Sequence, residues 1–142
     1  MELGTFGAIL SFALAFEGNV TDFFTASAGA AGAGDAAEAF ADLAKAGEKR
    51  LKTIERTRRE NVAEMILEPI SGFRSEDYAL DIDVPVGATA AALVAQAVAT
   101  EKTAAAYYTA ASAKVSVPEV ARILKKMAQQ HQAQLETLEE LR

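Results

Sequence analysis

From Leu3 to Phe16 the chain carries no charge, and a helix drawn through it is apolar on nearly every side. Such a helix needs cover on two faces, expected here from its own bundle and from a second subunit. The stretch falls short of the ~20 residues that span a bilayer. It is preceded by Glu2 and by no Lys or Arg, so it reads neither as a membrane anchor nor as a secretory signal. The first helix is expected over about 3–28. The glycine-rich AGAAGAG at 28–34 ends it, and Asp35 opens a second helix reaching about Leu67.

Pro69, Gly72, Pro85 and Gly87 then bracket EPISGFRSEDYALDIDVPVG, residues 68–87. This is too long for a tight turn between neighbouring helices and suits a crossover along a bundle. A third helix follows over about 88–114. Val117-Pro118-Glu119 restarts the chain, with Pro118 in a first turn where its missing N–H costs nothing, and a fourth helix continues to Arg142. The expected architecture is all-α, a single domain over 1–142 made of two helical hairpins joined by a long crossover.

Composition supports that class. Half of the 142 residues are hydrophobic, many of them alanine, and Trp is absent. With no cysteine there is no disulfide framework, thiolate nucleophile or iron–sulfur ligand, which is compatible with a cytoplasmic location. A net charge of −6 argues against nucleic-acid binding. The basic run KRLKTIERTRR at 49–59 reads as a solvated helix face. The glycine-rich linker lacks the Gly-Lys-Ser/Thr ending of a phosphate loop and reads as a turn.

Laying the two halves over each other at an offset of 84 aligns Glu17 with Glu101. The same ungapped register places Phe23-Phe24-Thr25-Ala26 on Tyr107-Tyr108-Thr109-Ala110, and Leu51-Lys52-Thr53-Ile54-Glu55 on Leu135-Glu136-Thr137-Leu138-Glu139. Alanine matches carry little weight in so alanine-rich a chain; the Glu, Thr, Leu and Arg matches carry the case. The pattern reads as an internal duplication of a helical hairpin. A pseudo-two-fold axis would bring Glu17 and Glu101 toward one another inside the bundle. Leu10, Ala13, Leu14, Val20 and Phe24 lie on or beside the face of Glu17, which argues for burial.

Two hairpins, a long crossover and a buried glutamate on helices one and three resemble the ferritin-like superfamily. Glu101-Lys102 followed by Tyr107-Tyr108 is similar to the third helix of its rubrerythrin-type members. The resemblance implies a di-iron or di-manganese centre, with a Glu from each of helices one and three and Glu-x-x-His from each of helices two and four. Aligned on that motif, helix two offers Gly47 and Arg50, and helix four offers His131 and Gln134. Gly, Arg and Gln are poor ligands for such cations, so the centre is expected to be degenerate and no cofactor is expected.

A buried carboxylate must be paired, hydrogen-bonded or neutralised. Arg50 is the expected counter-ion of Glu17, with Gly47 leaving room for its guanidinium. Gln134 is expected to donate to Glu101, and Tyr108 to hydrogen-bond beside them where Phe24 cannot. The expected polar cluster is therefore Glu17, Arg50, Glu101, Tyr108, His131 and Gln134. The paired tyrosines read as aromatic packing with one hydroxyl at the bundle edge, in preference to a redox role.

Two functions follow. The first is a non-catalytic, dimeric binding or scaffold protein, packed through helix one or three, that takes a small ligand or a protein partner between its helix pairs or on the basic face of helix two. The alternative is a residual metalloprotein in which Glu17, Glu101 and His131 hold one Fe, Mn or Zn ion and act on peroxide or dioxygen.

Overall fold

A computed structural model describes residues 1–61 and 69–142. It contains four long helices, α1 (Phe6–Ala28), α2 (Ala37–Glu60), α3 (Ala90–Lys114) and α4 (Pro118–Glu140). Among the described residues no helix is long and apolar enough to cross a membrane. The all-α class follows, with adjusted boundaries. The first helix starts at Phe6, because Thr5 caps it: its Oγ1 accepts from the Ala8 N–H. Thr89 caps α3 in the same way through Ala92. Each cap contributes about 1 kcal/mol. Thr5 and Thr89 are again 84 residues apart, so the repeat extends to the caps.

Asp35 does not open the second helix. It lies in a short 3-10 segment, Ala31–Ala36, interrupted at Gly34 by a positive φ that favours glycine. Gly32 passes so close to the Ala88 carbonyl that a Cβ would collide with it, and this presses the first hairpin turn onto the start of α3. The second helix is described to Glu60; most of the extension toward Leu67 lies outside the described residues. The last helix ends at Glu140 rather than Arg142.

Helix α1 packs along α2, and α3 along α4. Contacts at Phe24–Phe40 and Glu17–Arg50 set α1 and α2 antiparallel. Tyr107–Ile9, together with the approach of Gly32 just after α1 to Ala88 just before α3, sets α1 and α3 antiparallel, and because each hairpin is itself antiparallel α2 and α4 are antiparallel too. Burial repeats at the offset of 84. Ile9, Leu10, Ala13, Phe16, Glu17, Val20, Phe23, Phe24 and Ser27 are buried on α1, and so is every counterpart from Leu93 to Ala111 on α3. A shared buried face is stronger support for the repeat than letter matches, since it records where each helix meets its neighbours.

The crossover begins beside the amino terminus, where Leu3 N–H donates to the Phe73 carbonyl at 2.8 Å and Ile70 N–H to Gly4 at 2.9 Å. It then runs over the α1/α3 side. Phe73 stacks on Tyr107, and Tyr78 meets the same ring edge-on at 5.3 Å. Near its end, Gln96 donates to the Asp81 and Asp83 carbonyls. Phe12 and Phe16 of the charge-free first helix thus gain cover from Tyr107 and the crossover. Tyr107 does not reach the bundle edge: it is fully buried, and its hydroxyl donates to the Ile9 carbonyl at 2.8 Å.

Candidate functional site

Midway along the bundle, four helices each contribute polar side chains to an otherwise apolar interior. Glu17 on α1, Glu101 on α3, and Tyr108 and His131 on α3 and α4 have no solvent exposure, and Arg50 on α2 is 4 % exposed. His131 lies between the two carboxylates. Its Nε2 is 2.9 Å from Glu17 Oε1 and its Nδ1 is 2.9 Å from Glu101 Oε2.

A neutral imidazole has one donor and one acceptor, whereas ionised carboxylates only accept. Two bonds to two carboxylates therefore call for the imidazolium. Burial would lower the His131 pKa, but hydrogen bonds to Glu101 and Glu17, together with their charges, push it up to about 9. Glu17 is the complement. Burial would raise its pKa, but the hydrogen bond and charge of His131, the Arg50 charge and the Tyr108 hydroxyl hold it below its ordinary value.

Arg50 completes a ring. Its Nε is 3.1 Å from Glu17 Oε2, close enough for strong charge attraction although the N–H is not aligned as a hydrogen bond. Its Nη1 donates to Gln134 Oε1 at 3.0 Å, and Gln134 Nε2 donates to Glu101 Oε2 at 3.0 Å. The circuit runs Glu17, His131, Glu101, Gln134, Arg50 and back to Glu17. Tyr108 attaches from one side, donating to Glu17 Oε1 at 2.8 Å while its ring stacks on His131. Burial, then the Glu17 charge and this bond, raise the Tyr108 pKa well above its ordinary value. Two carboxylates thus face an imidazolium and a guanidinium, so the centre is formally neutral.

All six residues expected in the cluster meet here. One detail differs from expectation. The space at Gly47 accommodates Thr21, not the guanidinium: a Cβ on Gly47 would collide with Thr21 Oγ1 and lie 3.2 Å from Thr21 Cβ. Arg50 reaches Glu101 through Gln134. Tyr108 bonds the glutamate of the opposite half. Gln130, one turn before Gln134, was missed; its Oε1 accepts from Arg50 Nη1 at 3.3 Å. The i, i+4 spacing of Gln130 and Gln134 in MAQQHQAQL was the available signal.

The donor set does not fit the two-ion centre that the resemblance implies. Gly47, Arg50 and Gln134 stand at three motif positions and provide neither carboxylate nor imidazole. The remaining imidazole has both nitrogens engaged. Among the described residues, no three His, Cys, Asp or Glu side chains are arranged to share an ion. Introducing divalent ions would also require displacing the Arg50 charge from Glu17. No family model, curated protein or solved structure matches this chain significantly.

Proposed function

We propose that the chain is a ferritin-like, rubrerythrin-like four-helix protein in which an ion-pair ring has replaced the metals, and that it acts as a non-catalytic binding or scaffold module. The observation that carries this reading is His131, whose two nitrogens are taken up by Glu17 and Glu101 while Arg50 stands against Glu17. The carboxylates have their counter-charges within the chain. Glu17, Glu101 and His131 themselves have no solvent exposure, and so offer no open position of the kind that metal-dependent peroxide or dioxygen chemistry needs.

The module is proposed to work as a homodimer packed through α1 or α3. Exposed Ala91, Ala95, Ala99 and Ala106 give α3 a small-residue outer surface on which another helix can approach closely.

Metal analysis of protein purified without chelator, followed by aerobic iron titration and light scattering, tests both parts. The expected result is no stoichiometric metal and twice the chain mass at micromolar concentration. One equivalent of Fe, Mn or Zn lost in His131→Ala would favour the residual metalloprotein instead. Two tightly bound ions, or a μ-oxo absorption band, would overturn the metal-free reading, and a monomer mass would overturn the dimer.

A further inference from the structure

The crossover lies over the α1/α3 side of the bundle. On the α2/α4 side, the helices instead border an open groove of about 480 Å³, within the range of small-molecule sites. Its charged lining residues are Lys49, Arg50, Arg56 and Lys126; among the described residues no carboxylate lines it. In a chain of net charge −6 this concentrates positive charge at one place.

Arg50 ties the groove to the interior. It lines the groove yet is almost wholly buried, and its Nη2 has no hydrogen-bond partner among the described residues. Of the bonds that Nη1 makes, the one to Gln130 is the longer, at 3.3 Å against 3.0 Å to Gln134. Gln130 Oε1 is therefore the acceptor most readily exchanged for an oxygen of a bound anion.

The spacing suits more than one anionic group. Lys49 and Arg56 stand seven residues apart on α2, two turns or about 10 Å. Since Arg50 meets Gln130 and Gln134, the antiparallel register sets Lys126 level with Arg56. Arg56 also has Glu60 at 4.0 Å, an exposed pair worth little in water. Ile123 and Met127 add an apolar wall.

We propose that this groove binds a small organic polyphosphate, with Lys49 at one end, Arg56 and Lys126 at the other, and Arg50 beneath. Arginine forks and lysine point charges suit phosphate oxygens, and the apolar wall accommodates an organic substituent. This inference rests on the binding-module reading and supplies its ligand class. An acidic protein segment is the rival occupant, but the concave, two-helix shape favours a compact ligand.

The test titrates the full chain at low salt with pyrophosphate and with adenosine triphosphate, read by calorimetry and by amide shifts. Saturable binding is expected, with shifts confined to the groove and affinity at least ten-fold weaker in Lys49→Gln/Lys126→Gln. Arg122→Gln/Lys125→Gln, outside the groove, should leave it unchanged. Absence of saturable binding, shifts elsewhere, or equal loss in both variants would overturn the proposal. A glutamate-rich peptide that binds where the phosphates do not would overturn it in favour of a protein partner. Metal content measured on the same preparation separates the outcomes: metal-free protein without phosphate binding refutes the ligand class alone, whereas stoichiometric metal refutes the reading beneath it.

Discussion

The two hairpins share caps, buried faces and a central glutamate, yet differ at the positions nearest the centre. The first hairpin has Thr21, Phe24, Gly47 and Arg50 where the second has Ala105, Tyr108, His131 and Gln134. A strictly symmetric centre would have to balance its two carboxylates with identical cations. Here each half contributes one acid and one cation of a different kind. The imidazolium of the second half reaches both acids, and the corresponding space at Gly47 is filled by Thr21. The repeat thus supplies the geometry, and its local breakdown supplies the charge balance.

Unequal roles for Arg50 and Gln134 give the largest expected effect. Arg50→Met leaves a buried negative charge uncompensated and should destabilise the fold by roughly 3–5 kcal/mol near neutral pH. Gln134→Met removes a neutral side chain whose two hydrogen bonds go to charged partners and should cost about 1.5–3 kcal/mol. Adding Glu17→Gln to Arg50→Met should recover much of the loss, since Glu101 and His131 then remain as a balanced pair. Urea unfolding of the single and double variants forms a mutant cycle that separates pairing from packing. Arg50→Met no more costly than Gln134→Met would show that the guanidinium is not the counter-ion.

The pH profile separates the halves by the direction of their loss. The folded-state pKa of His131 lies above its ordinary 6.5, so its stabilisation is complete below pH 6.5 and is lost as pH rises through about 9. The size is on the order of 3 kcal/mol. Glu17 is depressed below 4.5, so its contribution is present above that pH and is lost in acid as pH falls through the lowered value. Stability should therefore be highest between pH 4.5 and 6.5. His131→Gln should flatten the alkaline side and Glu17→Gln the acid side. An alkaline decline undiminished in His131→Gln would mean that another group titrates there.

Helix periodicity, punctuation by glycine and proline, and the 84-residue offset were enough to predict four helices and to pair Glu17 with Glu101, features of spacing along one chain. Arg50, His131 and Gln134 were added by alignment on the motif that the resemblance implies, and Tyr108 by its place one face over on the third helix. What sequence left open depends on distance across helices. That Gly47 makes way for Thr21 follows from how closely α1 and α2 approach. That a single imidazole can span two glutamates follows from the depth of His131 between α1 and α3, which made it a counter-ion where the sequence suggested only Arg50. Tyr107 lay outside the expected polar cluster because its acceptor is a backbone carbonyl, which carries no residue-type signal. The capping role of Thr5 was hidden for another reason: an uncharged, apolar stretch gave no cause to start the helix later than Leu3.

The smallest effect gives the sharpest test of the repeat, because its sign is at stake. Tyr108 donates to Glu17 Oε1 across the bundle, and Phe24 is its counterpart. If the two-fold relation extends to side chains, the edge of Phe24 points toward Glu101, whose Oε1 is buried without a hydrogen-bond partner among the described residues. Phe24→Tyr should then add a charge-assisted bond and stabilise the fold by about 1 kcal/mol, while Tyr108→Phe should cost about 2 kcal/mol. Phe24 has no solvent exposure and packs against Phe23 and Phe40, with no route for a hydroxyl to escape to water. A hydroxyl that missed Glu101 would be buried unpaired and would cost about 1–3 kcal/mol. Thermal unfolding distinguishes gain from loss, and alkaline absorbance adds a second reading. Like Tyr108, a tyrosine bonded to Glu101 should stay protonated until the chain unfolds, its pKa raised by burial and by the carboxylate. Destabilisation by Phe24→Tyr would show that the repeat governs the backbone and its buried face but stops short of the charged centre.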